Sequence, residues 1–348
     1  MFIATIVSFV FTFALDKYTI YLINADILGN TMKIIEASEV HQAMSFEALI
    51  PAIEQTFAGD HGMPQRQVFC LEKGADHGDA FAVLPSWNSK AIGVKAFTYF
   101  PDNAPKGFDS LYSKILMFKR ETGEPLALVD GTSVTYWRTA AVSALGSQYL
   151  ARENSCRLLV CGTGNLGSYM ALAHASVRPI TYINIWGRSL EKAEKIAEEI
   201  RKKRSDITVV AISSLSELEN SARQADIISC ATGAGEPLIL GDWVQPGTHT
   251  DFVGNHAPNR RECDSELITK ASVFVDSRLN VLNEAGELLI PIEEGVFSKD
   301  DVKAELAELA SGQHKGRKTA EEITVFKTVG TALSDLAGAC LVVEKLSD

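Results

Sequence analysis

Hydrophobic and polar positions along the chain change their rhythm twice. Between Met32 and about Asp130 the apolar residues come in short runs, AFAVLPSW (80–87), IGVKAFTYF (92–100), SKILMFKR (113–120) and PLALVD (125–130). Pro and Gly punctuate them, which predicts a mainly antiparallel sheet after an opening helix over 46–56. Glu121-Thr-Gly-Glu124 reads as the hairpin turn between the last two strands. From Arg157 the period lengthens. RLLVCG is followed by a helical segment to Ser176, then TYINIWG, then a charged helix over 190–204. ITVVAI, DIISCAT, HTDFVG and SVFVDS follow at strand length. Apolar strands alternating with helices predict a parallel sheet covered on both faces. The charge-rich stretch 298–322 reads as a solvated helix and loop. From Ile323 the tail reads as one helix, with Gly330, Ala332, Ala337, Gly338 and Ala339 spaced for close packing.

Residues 1–31 stand apart. Residues 2–15 are almost wholly apolar and stop at Asp16-Lys17. A helix of that length spans about 21 Å, short of the roughly 30 Å hydrocarbon core. Neither a basic start nor a small-residue cleavage site is present, as a signal peptide requires. A membrane anchor interrupted by one ion pair, and an upstream stretch before a second start at Met32-Lys33, are the other readings. The last is preferred.

Composition narrows the function classes. At roughly 150 residues per domain, 348 residues make two domains. Lys plus Arg number 33 and Asp plus Glu 44, a formal charge of −11, so a basic nucleic-acid-binding face is not expected. The six cysteines, at 70, 156, 161, 230, 263 and 340, form no CxxC pair, and the seven histidines show no ligand spacing. Neither a metal site nor a dithiol motif is supported, and thiols in apolar runs suit a reducing, cytoplasmic setting.

The strongest chemical signal is Gly162-Thr163-Gly164-Asn165-Leu166-Gly167, directly after a predicted strand and before a predicted helix. In this GxGxxG pattern the glycines permit a tight turn, close approach of a diphosphate and close helix–strand packing. The next strand ends in Gly187-Arg188-Ser189 where an NAD site usually carries an acidic residue. A guanidinium and a hydroxyl suit a 2′-phosphate, so NADPH is the preferred cofactor, with NADH also admitted. Alternatively, Arg188 is a solvated helix-start residue. Thr232-Gly233 follows DIISC at a strand's carboxyl end, where nucleotide and substrate meet.

Three cations sit in apolar company: Arg66 after Met63-Pro64, Lys95 inside IGVKAFTYF, and Arg138 after TSVTYW. Charges so placed are rarely buried without partners. One reading is a clamp for a carboxylate. The other is a surface strand with an outward Lys and an Arg capping a carbonyl.

With these residues in place the chain resembles the ornithine cyclodeaminase/mu-crystallin family. The resemblance rests on Gly93-Val94-Lys95 with Phe100-Pro101-Asp102-Asn103, and on Asp130-Gly131-Thr132 leading to Arg138-Thr139-Ala140-Ala141. The Gly162–Gly167 loop, PGTHTDFVGNHAPNRRE and FKTVGTALSDLAGA complete it. It implies an α/β fold, with a Rossmann-type doubly wound parallel sheet over 141–323. A discontinuous α+β substrate-binding and dimerisation domain would comprise 32–140 with 324–348. It further implies homodimers, Thr139 beside the cofactor, and Arg66, Lys95 and Arg138 as carboxylate-binding residues. Cyclodeaminases and related dehydrogenases of the family carry an Asp in a loop resembling G-x-D-x-P-G-K. Here Gly254-Asn255-His256-Ala257-Pro258-Asn259-Arg260 places His256 at that position.

Deamination needs a carboxylate to handle the amine and the attacking water, whereas a cyclic imine conjugated to a carboxylate needs chiefly orientation and electrostatics for reduction. The expectation is NAD(P)H-dependent reduction of a cyclic imino acid: Δ1-pyrroline-2-carboxylate to L-proline, with Δ1-piperideine-2-carboxylate to L-pipecolate second. His256 either hydrogen-bonds the substrate or relays a proton, or else is a spacer. Ornithine cyclodeaminase, an alanine or N-alkyl amino-acid dehydrogenase, and a crystallin-like binding protein are the alternatives.

Overall fold

The computed structural model describes residues 32–71 and 78–347; the readings placed on residues 1–31 lie outside them. The first sheet contains β1 (Lys33–Ile35), β2 (His61–Gly62), β3 (Gln67–Cys70), β4 (Ala80–Asn88), β5 (Ala91–Tyr99), β6 (Leu111–Lys119) and β7 (Pro125–Asp130), ordered β1-β7-β6-β5-β4-β2 with β3 also on β4. Its pairs are antiparallel except β1 with β7. The turn expected at 121–124 joins β6 to β7, with Gly123 at φ 74°.

Side chains alternate across this sheet. Ala82, Leu84, Ile115, Met117, Ala127 and Val129 point inward and are buried. Ile115, Met117, Ala127 and Val129 share a core with helices α1 (Ala37–Ala43), α2 (Phe46–Ala58) and α3 (Gly131–Leu150), whereas Ala82 and Leu84 pack on Ala332. Helix α3 touches β6 of this sheet and strands of the second, so it is buried nearly all round and carries small residues instead of one apolar stripe.

The second sheet is wholly parallel. It contains β8 (Arg157–Cys161), β9 (Tyr182–Trp186), β10 (Thr208–Ile212), β11 (Ile227–Cys230), β12 (His249–Phe252), β13 (Ser272–Val275), β14 (Ala304–Glu305) and β15 (Thr324–Lys327). The order β10-β9-β8-β11-β12-β15-β13-β14 runs outward in both directions from β8 except that β15 is inserted between β12 and β13, a Rossmann-type doubly wound sheet. The helices between its strands are α4 (Gly167–Val177), α5 (Leu190–Lys203), α6 (Leu215–Gln224), α7 (Ser265–Lys270), α8 (Arg278–Glu284), α9 (Gly286–Glu293) and α10 (Leu306–Ala310). The chain closes with α11 (Ala332–Lys345), which packs on α2, α3, β4 and β5.

Two local expectations are corrected. The tail from Ile323 is not one helix: Thr324-Val-Phe-Lys327 is a buried strand wedged between β12 and β13. β-branched and aromatic side chains suit that pleated, covered position. Gly330, at φ 79°, turns the chain, and Thr331 caps α11 through its side chain. The return to the first sheet therefore begins after Lys327, not at 324. Nor is 298–322 merely a solvated helix and loop, because Val302, Ala304, Leu306 and Leu309 are buried and β14 forms the sheet edge.

Candidate active site

Because every strand of the second sheet runs the same way, all its carboxyl ends lie on one edge. Gly162 follows β8, Gly187 follows β9, Thr232 follows β11, His256 lies four residues beyond β12, Asp276 follows β13 and Lys327 ends β15. The winding reverses between β8 and β11, so the crevice of an open α/β sheet falls between the Gly162 and Thr232 loops.

The glycine loop fits a dinucleotide diphosphate. Gly162 adopts φ 132°, and a Cβ there would stand 2.6 Å from the Ala231 carbonyl oxygen. At Gly167 a Cβ would stand 2.8 Å from the Gly162 oxygen, so α4 starts hard against the strand. Around Gly164 there is open space, which leaves the loop backbone accessible at the helix N-terminus. Asn165 donates to the Tyr136 hydroxyl at 2.9 Å, Leu166 packs on the core, and Thr163 lies against Gly187. Arg188 is exposed beyond β9 and has no hydrogen bond among the described residues. The Ser189 oxygen caps α5 by accepting from the Lys192 N–H at 3.3 Å, which leaves its own proton to donate. Thr139 is buried on α3 beside Arg138.

The three cations come to the same cleft by different routes. Lys95 is on the inner face of β5, only 3% exposed, so it is not an outward lysine. Its Nζ donates to Asp335 at 3.0 Å and to the Thr135 hydroxyl. Burial pulls its pKa down to about 8, against the raising effect of Asp335. Arg138 donates from Nε to the same Asp335 oxygen at 2.8 Å. Among the described residues its two Nη nitrogens carry no hydrogen bond. Arg66 commits its fork to Glu284 of α8, and its Nη1 donates to the Val329 carbonyl at 3.1 Å. Burial lowers the Arg66 pKa, and Arg138 and Asp335 are among the charges acting on it.

His256 is a solvent-exposed residue on the loop beyond β12. Desolvation by the surrounding protein, then the charges of Arg66, Lys327 and Arg138, lower the pKa of its imidazole. It therefore faces the same cationic group as the clamp candidates.

Several charged residues escaped the sequence reading. Asp335 (1% exposed) bridges Lys95 and Arg138. Asp276 accepts from the backbones of Val329 and Gly330, and burial raises its pKa to about 6. Lys327, Glu262 and Glu287 are wholly buried under the His256 loop. The signal was present: TVFK sets a charge in an apolar run just as IGVK does. Reading TVFK as the start of a helix hid it.

Fold and site together define a dinucleotide-binding protein whose parallel sheet meets a cationic cleft on a second, mainly antiparallel sheet. The chain belongs to the ornithine cyclodeaminase/mu-crystallin family, which it matches over residues 30–348. It is 53% identical to a Δ1-pyrroline-2-carboxylate reductase of Colwellia psychrerythraea, over 91% of this chain and 100% of that one. A solved Thermococcus litoralis Δ1-pyrroline-2-carboxylate reductase in complex with NADH and L-proline superposes with TM-score 0.85 at 35% identity, covering 91% of this chain and 98% of that one. An archaeal alanine dehydrogenase dimer with bound NAD superposes with TM-score 0.82 at 28% identity, covering 91% and 96%.

Proposed function

We propose that this protein is an NAD(P)H-dependent imine reductase that converts Δ1-pyrroline-2-carboxylate to L-proline, with the six-membered homologue as a second substrate. The observation that carries this reading is the Arg138–Lys95 pair, held by one buried aspartate beside a neutral histidine at the carboxyl edge of the dinucleotide sheet. The two Nη groups of Arg138 match a carboxylate's two oxygens, and Lys95 adds charge at close range. Arg66 joins them by exchanging Glu284 for substrate. In its iminium form the ring is electrophilic at C2, and a nicotinamide whose diphosphate Gly162–Gly167 held would supply a hydride there, the C=N π pair passing to nitrogen to leave a secondary amine. Neutral His256 serves as a hydrogen-bond partner near the ring and not as a charged acid.

Gly162–Gly167 hold the diphosphate, Thr139, Thr232 and Gly233 border the nicotinamide side, and Gly187, Arg188 and Ser189 face the adenosine ribose. The absence of a carboxylate from Gly187-Arg188-Ser189 favours NADPH over NADH. A homodimer is supported by the outer face of the first sheet, where Ile34, Leu128, Leu116, Val94 and Pro85 form one apolar row across five strands. The thiols at 156, 161, 230, 263 and 340 suit the cytoplasm. Among the described residues no helix is long and apolar enough to cross a membrane.

Purified protein with NADPH and each candidate substrate tests the reading. Absorbance at the reduced-nicotinamide band falls only when a cyclic imino acid is present. Proline and ammonia formed from ornithine without net NADPH use would overturn it.

A further inference from the structure

The loops that follow β11 and β12 are joined by a single carboxylate. Glu262 Oε1 accepts from the Thr232 N–H and the Thr232 hydroxyl, both at 2.7 Å, and Oε2 accepts from the Gly254 N–H at 2.7 Å. The two loops also touch directly, since a Cβ on Gly254 would lie 1.9 Å from the Thr232 carbonyl oxygen. Behind Glu262 stands a second carboxylate. Glu287 Oε1 accepts from the Glu262 N–H at 3.1 Å, and its Oε2 lies 3.1 Å from Lys327 Nζ. Lys327 donates to the Asn255 carbonyl at 3.0 Å, next to His256, and the Asn255 amide returns to the Ala234 carbonyl at 2.7 Å.

All three charged residues have zero exposure. A buried network of this kind is a poor source of stability compared with well-packed apolar side chains. Its bonds instead end on backbone groups of two loops, at Thr232, Gly254 and Asn255.

We infer that Glu262, braced by Glu287 and Lys327, is a positioning residue that sets the spacing between the cofactor loop at 231–235 and the His256 loop at 254–260. The inference rests on the reading of those two loops given above. A carboxyl group suits this place because each of its oxygens accepts from a different loop. A glutamine offers one acceptor oxygen, so it keeps the bonds to one loop and turns an N–H toward the donor of the other. An alanine removes the carboxyl bonds to both loops and leaves only the Asn255–Ala234 and Arg260–Gly233 bonds between them.

The test compares wild type, Glu262→Gln and Glu262→Ala by hydrogen–deuterium exchange over 231–235 and 253–257, by NADPH fluorescence titration without imine, and by the KM for Δ1-pyrroline-2-carboxylate. Glu262→Ala should speed exchange in both segments, weaken NADPH about tenfold and raise the imine KM about tenfold, in line with losing buried hydrogen bonds to a charged group. Glu262→Gln should loosen one segment and shift only the constant of its own ligand. Folded variants with wild-type exchange, NADPH affinity and KM would overturn the inference, even if kcat fell. Wild-type protein inactive on every cyclic imine would overturn the functional reading alone, because exchange and NADPH binding report the strap independently.

Discussion

At the scale of single residues, the site is governed by charges that have been taken out of water and given few partners. Lys95 and Arg138 would repel one another without Asp335 between them, and Asp335 offers both the same oxygen. Glu262 shows the cost of such an arrangement. Its carboxyl is moved from 4.5 to about 7 by burial and by Glu287, with Lys327 opposing. A carboxyl with a raised folded-state pKa holds its proton better in the folded chain. It therefore favours folding at low pH and ceases to do so as pH rises from 4.5 to about 7, by at most about 3 kcal/mol. Asp276, raised to about 6, acts in the same direction. Denaturant melts at pH 5 and pH 8 should show this loss in wild type and a shallower one in Glu262→Gln. At the other end of the cleft, Arg188→Asp should move the preference from NADPH toward NADH by placing a carboxylate where a 2′-phosphate would lie. An unchanged ratio of kcat/KM for the two cofactors would argue against that role for Arg188.

At the scale of elements, α3 determines how the two sheets meet. It packs on β6 from one sheet and on β12 and β15 from the other, and it carries Arg138 and Thr139 between them. Close approach depends on its small residues. A Cβ on Gly146 would lie 2.5 Å from the fully buried ring of Phe326 on β15. Gly146→Ala should therefore destabilise by roughly 1–3 kcal/mol, as overpacking does, and lower Tm measurably. A Tm equal to or above wild type would mean that the ring moves aside freely. The composition of α3 was legible as small-residue-rich, but its burial on all sides was not, since no apolar stripe announces two partners. β15 was misread for a related reason. Its four residues are too few to establish a period, and the small residues that follow looked helical.

At the scale of the whole molecule, the first sheet leaves an apolar row partly exposed, with Ile34 at its end, while its other face is packed under helices. If the proposed homodimer forms through that row, Leu116→Glu at its centre should sediment as a folded monomer; a dimer that persists would place the interface elsewhere. The net charge of −11 conceals a site where the charges of Arg66, Lys95 and Arg138 converge, with Lys327 buried beneath it. Much of this architecture was legible beforehand. The antiparallel runs, the parallel alternation and the Gly162–Gly167 loop are each written within a few consecutive residues, where local sterics and the periods of strand and helix decide the outcome. The burial cost of Lys95 and Arg138 was also visible, because a charge in an apolar run has to be compensated. The identity of the compensating group was not. Asp335 lies far along the chain from Lys95, as Glu262 does from Thr232 and Glu287 from Lys327, and only packing of distant elements brings such groups within hydrogen-bond reach. The sequence by itself determined which elements form and which charges need partners; the tertiary structure decided which partners they have, because short-range electrostatics depends on distance in space and not along the chain.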